Sequence, residues 1–144
     1  MIRDYYHIIK PGIIYGNVLT IVAGFCLASY GQRFDFPLLL LTVIGLSLIM
    51  AGGCVFNNYY DRDIDALMER TKNRALVRNV ISGQAALIYA TALSLVGFIT
   101  LFLFTNITTV LVALLGFVVY VGIYTMVLKR TSTHSTLIGA ISGA

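Results

Sequence analysis

An asparagine and two aspartates recur at four-residue intervals near the middle of the chain: Asn57, Asp61 and Asp65. On an α-helix, side chains at this spacing share one face and climb about 6 Å per step. Carboxylate oxygens hold Mg²⁺ through one or two ligands and leave coordination places for phosphate and water. The spacing therefore predicts a catalytic Mg²⁺ site whose ligands are Asn57, Asp61 and Asp65.

Basic residues follow this row directly, at Arg70, Lys72, Arg74 and Arg78. Cations beside acidic oxygens favour a phosphate-bearing ligand bridged by a metal ion. A charged loop that only sets membrane topology would explain these cations, but not the helical spacing of the acids.

The charged residues inside and just after the row are predicted to lie on different faces of the helix. At helical spacing Arg62 and Asp63 point away from the metal face, and we interpret them as solvated or paired. Glu69 is one further step along the row and is a candidate for a supporting position around the metal.

The elements that must carry this site are apolar. Of 144 residues, 58% are hydrophobic and only 11% charged, whereas ordinary globular domains carry about a quarter charged residues. Four charge-free stretches of about 20 residues predict transmembrane helices, at 12–30, 37–56, 83–104 and 108–128. A fifth starts at 135 and stops at 144. We therefore expect 1–144 to be the N-terminal part of a single transmembrane domain in a longer protein.

The basic residues are unevenly distributed between the predicted loops. Nine of the ten precede the first span, lie between the second and third, or follow the fourth; only Arg33 lies between the first and second. Because cytoplasmic loops are enriched in Lys and Arg, this predicts a cytoplasmic N-terminus and a cytoplasmic motif loop at 57–82. Topology thus explains the net charge of +4, and nucleic acid is not an expected partner.

Cysteines and glycines inside the apolar stretches have structural interpretations. Cys26 and Cys54 are interpreted as small apolar packing residues rather than a disulfide or a metal pair. Gly12 with Gly16, and the run Ala51-Gly52-Gly53, are candidate points of close helix contact, although background glycine is an equally open interpretation.

The row Asn57-x-x-x-Asp61-x-x-x-Asp65 resembles the first aspartate-rich motif of the UbiA-type intramembrane prenyltransferases. The strings CVFNNYYDRDID, MERTKNRAL and GFVVYVGIYTMVLKR, with Lys-Pro-Gly-Ile at 10–13, resemble the protohaem IX farnesyltransferases (haem O synthases) in particular. The resemblance covers the whole chain but only the first half of the family pattern, because the second aspartate-rich motif is absent.

The resemblance implies an all-α transmembrane helix bundle around a central cavity, in a bacterial plasma membrane. It implies Mg²⁺-dependent transfer of a farnesyl group from farnesyl diphosphate to the vinyl group of haem B, giving haem O. Its partners would be both substrates, the lipid bilayer and the missing C-terminal half. The implied substrate-binding residues, beside the Mg²⁺ ligands, are Arg70, Arg74, Lys129, Tyr124 and Asn17.

Alternatives stay open at this point. Asn17 and Tyr124 also suit an interhelical hydrogen bond and an interfacial aromatic, and Lys129 a topology anchor. His7 and His134 are interpreted as interfacial polar residues rather than iron ligands. A related prenyltransferase would use a quinone precursor or another aromatic acceptor. A protein of a different class, an ion-coupled transporter, would use the two aspartates as coupling carboxylates.

Overall fold

The computed structural model describes residues 2–128, with side chains up to Met126. Its elements are helical throughout this part of the chain, with no strand among them. The helices are α1 Ile2–Ile8, α2 Pro11–Ala28, α3 Phe36–Tyr60, α4 Arg62–Leu67, α5 Gly83–Phe104 and α6 Ile107–Phe117, followed by a π-helix at Val118–Leu128. The all-α prediction is therefore confirmed.

Among the described residues, four helices are long and apolar enough to cross a membrane: Pro11–Ala28, Phe36–Tyr60, Gly83–Phe104 and Ile107–Met126. This confirms the class of multi-pass membrane protein. The starts of the last three of these helices follow from local chemistry, because the side chains of Asp35, Ser82 and Asn106 each accept a hydrogen bond from a backbone N–H of the first turn. The predicted fifth segment at 135–144 lies outside the described residues.

The helix of the second predicted span continues into the motif loop. The span was predicted to end at residue 56, and α3 continues to Tyr60. The backbone hydrogen bonds Asp61 N to Asn57 O (3.0 Å) and Asp65 N to Asp61 O (2.8 Å) carry helical bonding across the junction into α4. The end of the charge-free stretch therefore does not end the helix, because the backbone N–H and C=O groups of polar residues form the same helical hydrogen bonds.

Helices α3 and α5 pack closely through small residues. A Cβ added at Gly52 would overlap Ser94 Oγ and come within 2.7 Å of the Ala90 carbonyl oxygen, and one at Gly97 within 2.7 Å of the Gly45 carbonyl oxygen. The close contact expected at Gly52 is thus confirmed.

The corresponding expectation for α2 is wrong among the described residues. A Cβ added at Gly12 or Gly16 would have nothing within 4 Å. These glycines differ from Gly52 in that no helix among the described residues lies opposite them.

A hydrophobic cluster ties α1 to the motif end of the bundle. Ile8 of α1 is buried with residues from the end of α3, the 76–81 loop and the start of α5; these are Val55, Leu76, Ile81, Ala86 and Ala90. The Ile8 carbonyl also accepts a 2.7 Å hydrogen bond from Asn58 Nδ2. The chain then turns sharply into α2 at Lys10, whose φ of 55° is left-handed.

Candidate active site

The three residues of the row are buried together. Asn57 is 3%, Asp61 3% and Asp65 5% exposed, whereas Arg62 and Asp63 between them are exposed. The burial pattern agrees with the single helical face that the spacing predicts. Burying a carboxylate is costly unless it is paired or binds a cation, so two buried aspartates at the end of an apolar helix indicate a site for positive charge.

Asp65 has its counter-charge within the chain. Arg74 Nη1 donates to Asp65 Oδ2 at 2.5 Å and to Asn58 Oδ1 at 3.3 Å. Thr71 Oγ1 donates to the Asp65 backbone carbonyl at 3.0 Å. The loop after α4 is thus folded back onto the row, and this places the Arg74 guanidinium beside the carboxylate.

Asn57 is held from two sides. Lys10 Nζ donates to Asn57 Oδ1 at 2.7 Å, and Asn57 Nδ2 donates to Thr125 Oγ1 at 3.3 Å. Thr125 lies in the π-helix and is 1% exposed. Residues distant in sequence, from the turn before α2 and from the π-helix, therefore meet at the first residue of the row.

An apolar cavity of about 290 Å³ lies between α2, α3 and α6 with the π-helix, and its α3 wall extends to Cys54, one turn before Asn57. Ile13 and Asn17 line it from α2, Cys54 from α3, and Ala113 and Tyr120 from the opposite wall. Its volume is near the lower end of the roughly 300–1,000 Å³ typical of ligand pockets. A lining of this kind suits a hydrocarbon chain.

The polar residues expected inside the spans are found near this cavity. Asn17 lines it and donates to the Ile13 carbonyl of its own helix at 2.8 Å, so that bond is not interhelical. Tyr124 is half-buried and stacks on Tyr120, with ring centroids 5.9 Å apart. Both cysteines are free; Cys54 is buried and Cys26 exposed.

A second, polar cavity of about 310 Å³ lies over Asp65, between α1 and the loop. Asp4, His7 and Lys10 line one side of it, and Asp65 and Arg74 line the other. This cavity gives a charged ligand an approach to Asp65.

The other candidate residues do not lie in the buried row. Arg70 is exposed in the loop. Glu69 does not continue the row, because α4 ends at Leu67, and its carboxylate instead pairs with Lys72 at 2.6 Å. His7 is exposed and accepts a hydrogen bond from Arg3 at its Nε2. Lys129 and His134 lie outside the described residues.

The donor set can be tested against Mg²⁺. Within residues 2–128, no three His, Cys, Asp or Glu side chains are grouped so that they could hold a metal ion by themselves. Mg²⁺, however, is commonly bound through one or two carboxylates, with substrate phosphates and waters completing the octahedron. Asp61 and Asp65 fit that incomplete set. Asn57 Oδ1 is a less direct match to this ligand set, because it already accepts a hydrogen bond from the Lys10 ammonium.

Residues 17–144 match the UbiA prenyltransferase family. The chain belongs to that family. It is 54% identical over its whole length to a protein named protoheme IX farnesyltransferase from Serratia proteamaculans, and 51% and 53% identical to proteins of the same name from Yersinia pseudotuberculosis and Cronobacter sakazakii. No solved structure matches it significantly.

In each of these pairs the alignment covers 100% of this chain and 48% of the relative. The chain thus spans about half the length of the curated relatives it matches. The resemblance read from the motif strings is confirmed at the level of the family.

Sequence reasoning missed two residues of the site, Lys10 and Thr125. Lys10 stood in a string already noted for its resemblance, but nothing in the string indicates a contact 47 positions away. Thr125 is one of several threonines in apolar helices, and its contact with Asn57 spans 68 positions. In the sequence, a threonine close to two tyrosines within an apolar span is a weak signal that polar groups meet there.

Proposed function

We propose that the full-length protein, meaning this chain together with the remainder found in its relatives, transfers a farnesyl group from farnesyl diphosphate to a vinyl group of haem B, forming haem O with Mg²⁺. The observation that carries the proposal is the buried row of Asn57, Asp61 and Asp65, with a cavity lined by charged residues at Asp65 and an apolar cavity beside the preceding turn of α3. The names of the relatives support the choice of haem as acceptor.

In this proposal the chain binds the diphosphate at the polar side of the row. Asp61 and Asp65, with Asn57, would hold Mg²⁺, which when bound neutralises the diphosphate and makes it a better leaving group. Arg74 lies at the row and Arg70 in the exposed loop, where each would cover phosphate charge. Both would act from the side that we predict to be cytoplasmic.

The apolar cavity takes the hydrocarbon chain. Its walls exclude water from the allylic carbon while the carbon–oxygen bond breaks and the diphosphate leaves with the electron pair. The π electrons of the haem vinyl group then form the new carbon–carbon bond. Water adds to the resulting cation and loses a proton, which gives a hydroxyethylfarnesyl substituent. No side-chain nucleophile is needed for these steps.

Paired substitutions on one short helical segment test the metal role. Asp61→Asn should abolish farnesyl transfer in membranes of the full-length protein, whereas Asp63→Asn should retain most of it, because Asp63 is exposed on the other side. Membrane insertion and protein level should be equal for the two variants. Equal loss of turnover would mean that the 57–65 segment does not present one functional face.

The acceptor is tested by product analysis. Full-length protein supplied with Mg²⁺ and farnesyl diphosphate should release diphosphate and form haem O with haem B, but should form no prenylated product with an aromatic quinone precursor. Prenylation of the quinone precursor alone would instead support the related prenyltransferase.

A further inference from the structure

Thr125 occupies an unusual position for a hydroxyl in an apolar span. It is 1% exposed and lies in the π-helix, where its Oγ1 donates to the Tyr120 carbonyl five residues earlier at 2.8 Å. A hydroxyl carries one proton. Because that proton is used on the Tyr120 carbonyl, Thr125 Oγ1 can only accept a hydrogen bond from any further partner.

That further partner is the amide of Asn57. Asn57 Nδ2 donates to Thr125 Oγ1 at 3.3 Å, and Asn57 Oδ1 accepts from Lys10 Nζ at 2.7 Å. A lysine ammonium is only a donor. Both neighbours therefore require the same orientation of the amide. Rotating it by half a turn would place NH₂ against an ammonium and a carbonyl oxygen against an oxygen that has no proton to give.

The turn that delivers Lys10 is itself unusual. Lys10 has a φ of 55°, and the next residue is Pro11. Left-handed backbone is unfavourable for a residue with a Cβ, and the residue before proline prefers extended backbone. Such conformations persist where the surrounding structure holds them and are concentrated at functional sites.

We propose that Thr125 is a positioning residue, which holds the Asn57 carboxamide with its oxygen toward Lys10 and so orients the first polar group of the row. The inference rests on the proposed function for its Mg²⁺–diphosphate ligand. It adds to that function a residue from the π-helix, outside the acidic row, on which ligand affinity depends. Outer residues that orient a metal ligand typically contribute ten- to a hundredfold in affinity or activity.

The test compares threonines of matched chemistry in the purified full-length protein. Thr125→Val keeps the shape and removes the hydroxyl. Thr125→Ser restores the hydroxyl without the methyl group. Thr42→Val is the control, because Thr42 Oγ1 also donates to a carbonyl of its own helix, that of Leu38 at 2.7 Å, yet no bond joins it to Asn57.

The measurement is the apparent affinity for Mg²⁺ in the presence of inorganic pyrophosphate, by titration calorimetry, with no prenyl substrate. We expect Thr125→Val to weaken it about tenfold or more, Thr125→Ser to restore it to within about twofold of the wild type, and Thr42→Val to leave it unchanged. Thr125→Ala provides the same comparison if Thr125→Val does not fold.

Three outcomes would overturn the inference: wild-type affinity in Thr125→Val, an equal loss in Thr42→Val, or no recovery in Thr125→Ser. Its failure is distinguishable from failure of the proposed function. If the wild type binds Mg²⁺ and pyrophosphate but does not farnesylate haem B, the proposed reaction is refuted. The ranking of the variants by Mg²⁺ affinity still decides the role of Thr125. Absence of binding by the wild type would overturn both.

Discussion

Replacing Gly52 by alanine tests the packing that places the row. The added Cβ would overlap Ser94 Oγ and lie 2.7 Å from the Ala90 carbonyl oxygen, about 0.7 Å short of the 3.4 Å at which ordinary contact begins. Ser94 can rotate, but only by giving up its 2.9 Å hydrogen bond to that same carbonyl. The carbonyl belongs to the backbone of α5, so the helices themselves must separate.

The expected cost follows from these two contacts. Overpacking a well-packed contact costs about 1–3 kcal/mol, and loss of a buried hydrogen bond adds about 0.5–1.5 kcal/mol. Alanine is the better helix former by about 1 kcal/mol, but the control substitution Gly24→Ala gains the same amount, since nothing lies within 4 Å of a Cβ there. Gly52→Ala should therefore be about 2–4 kcal/mol less stable than Gly24→Ala.

The assay uses the buried thiol of Cys54 as a reporter in a background in which every other cysteine, Cys26 included, is replaced by serine. Unfolding of the full-length protein in mixed detergent exposes Cys54 to a thiol-reactive dye, and the midpoints of the two glycine variants are compared. Turnover should fall as well, because α3 carries Asn57 five residues further on and a shift near 1 Å can cost about a hundredfold. Equal midpoints for the two variants would refute the account of close α3–α5 packing.

Three further predictions concern charge and completeness. Arg74→Gln should weaken binding of farnesyl diphosphate about ten- to a hundredfold, as expected for one charge-assisted phosphate contact, with haem B affinity nearly unchanged; equal losses would mean that Arg74 only maintains Asp65. Single cysteines at positions 33 and 72 of a cysteine-free protein should label from opposite sides of sealed cells, and labelling of both from one side would contradict the predicted orientation. Residues 1–144 alone should insert into membranes without transferring prenyl groups; steady turnover with Mg²⁺, haem B and farnesyl diphosphate would show that one acidic row suffices.

The helices were predictable because their signal is local. A contiguous stretch of sequence is enough to recognise the charge-free runs of about 20 residues and the capping side chains before α3, α5 and α6. The shared face of Asn57, Asp61 and Asp65 was predictable for the same reason, since helical periodicity fixes direction whether or not the helix ends nearby.

What was not predictable depends on neighbours. Glu69 was placed on the row because helical periodicity does not indicate where a helix ends. In the structure α4 ends at Leu67, and Glu69 forms an ion pair with Lys72. The pairing of the Arg74 guanidinium with Asp65 was not predicted either. Tertiary contacts of this kind require knowing which elements meet, which a single sequence does not contain.

The π-helix at Val118–Leu128 has a consequence for aligning and engineering this segment. Its wider turn lets Thr125 reach back to the carbonyl of Tyr120, five positions away, rather than four as in an α-helix. Deleting one residue between them would shift the register of the segment and rotate everything after the deletion relative to α3. A homologue with a one-residue gap here would therefore present a different side chain to Asn57, however well the flanking residues align.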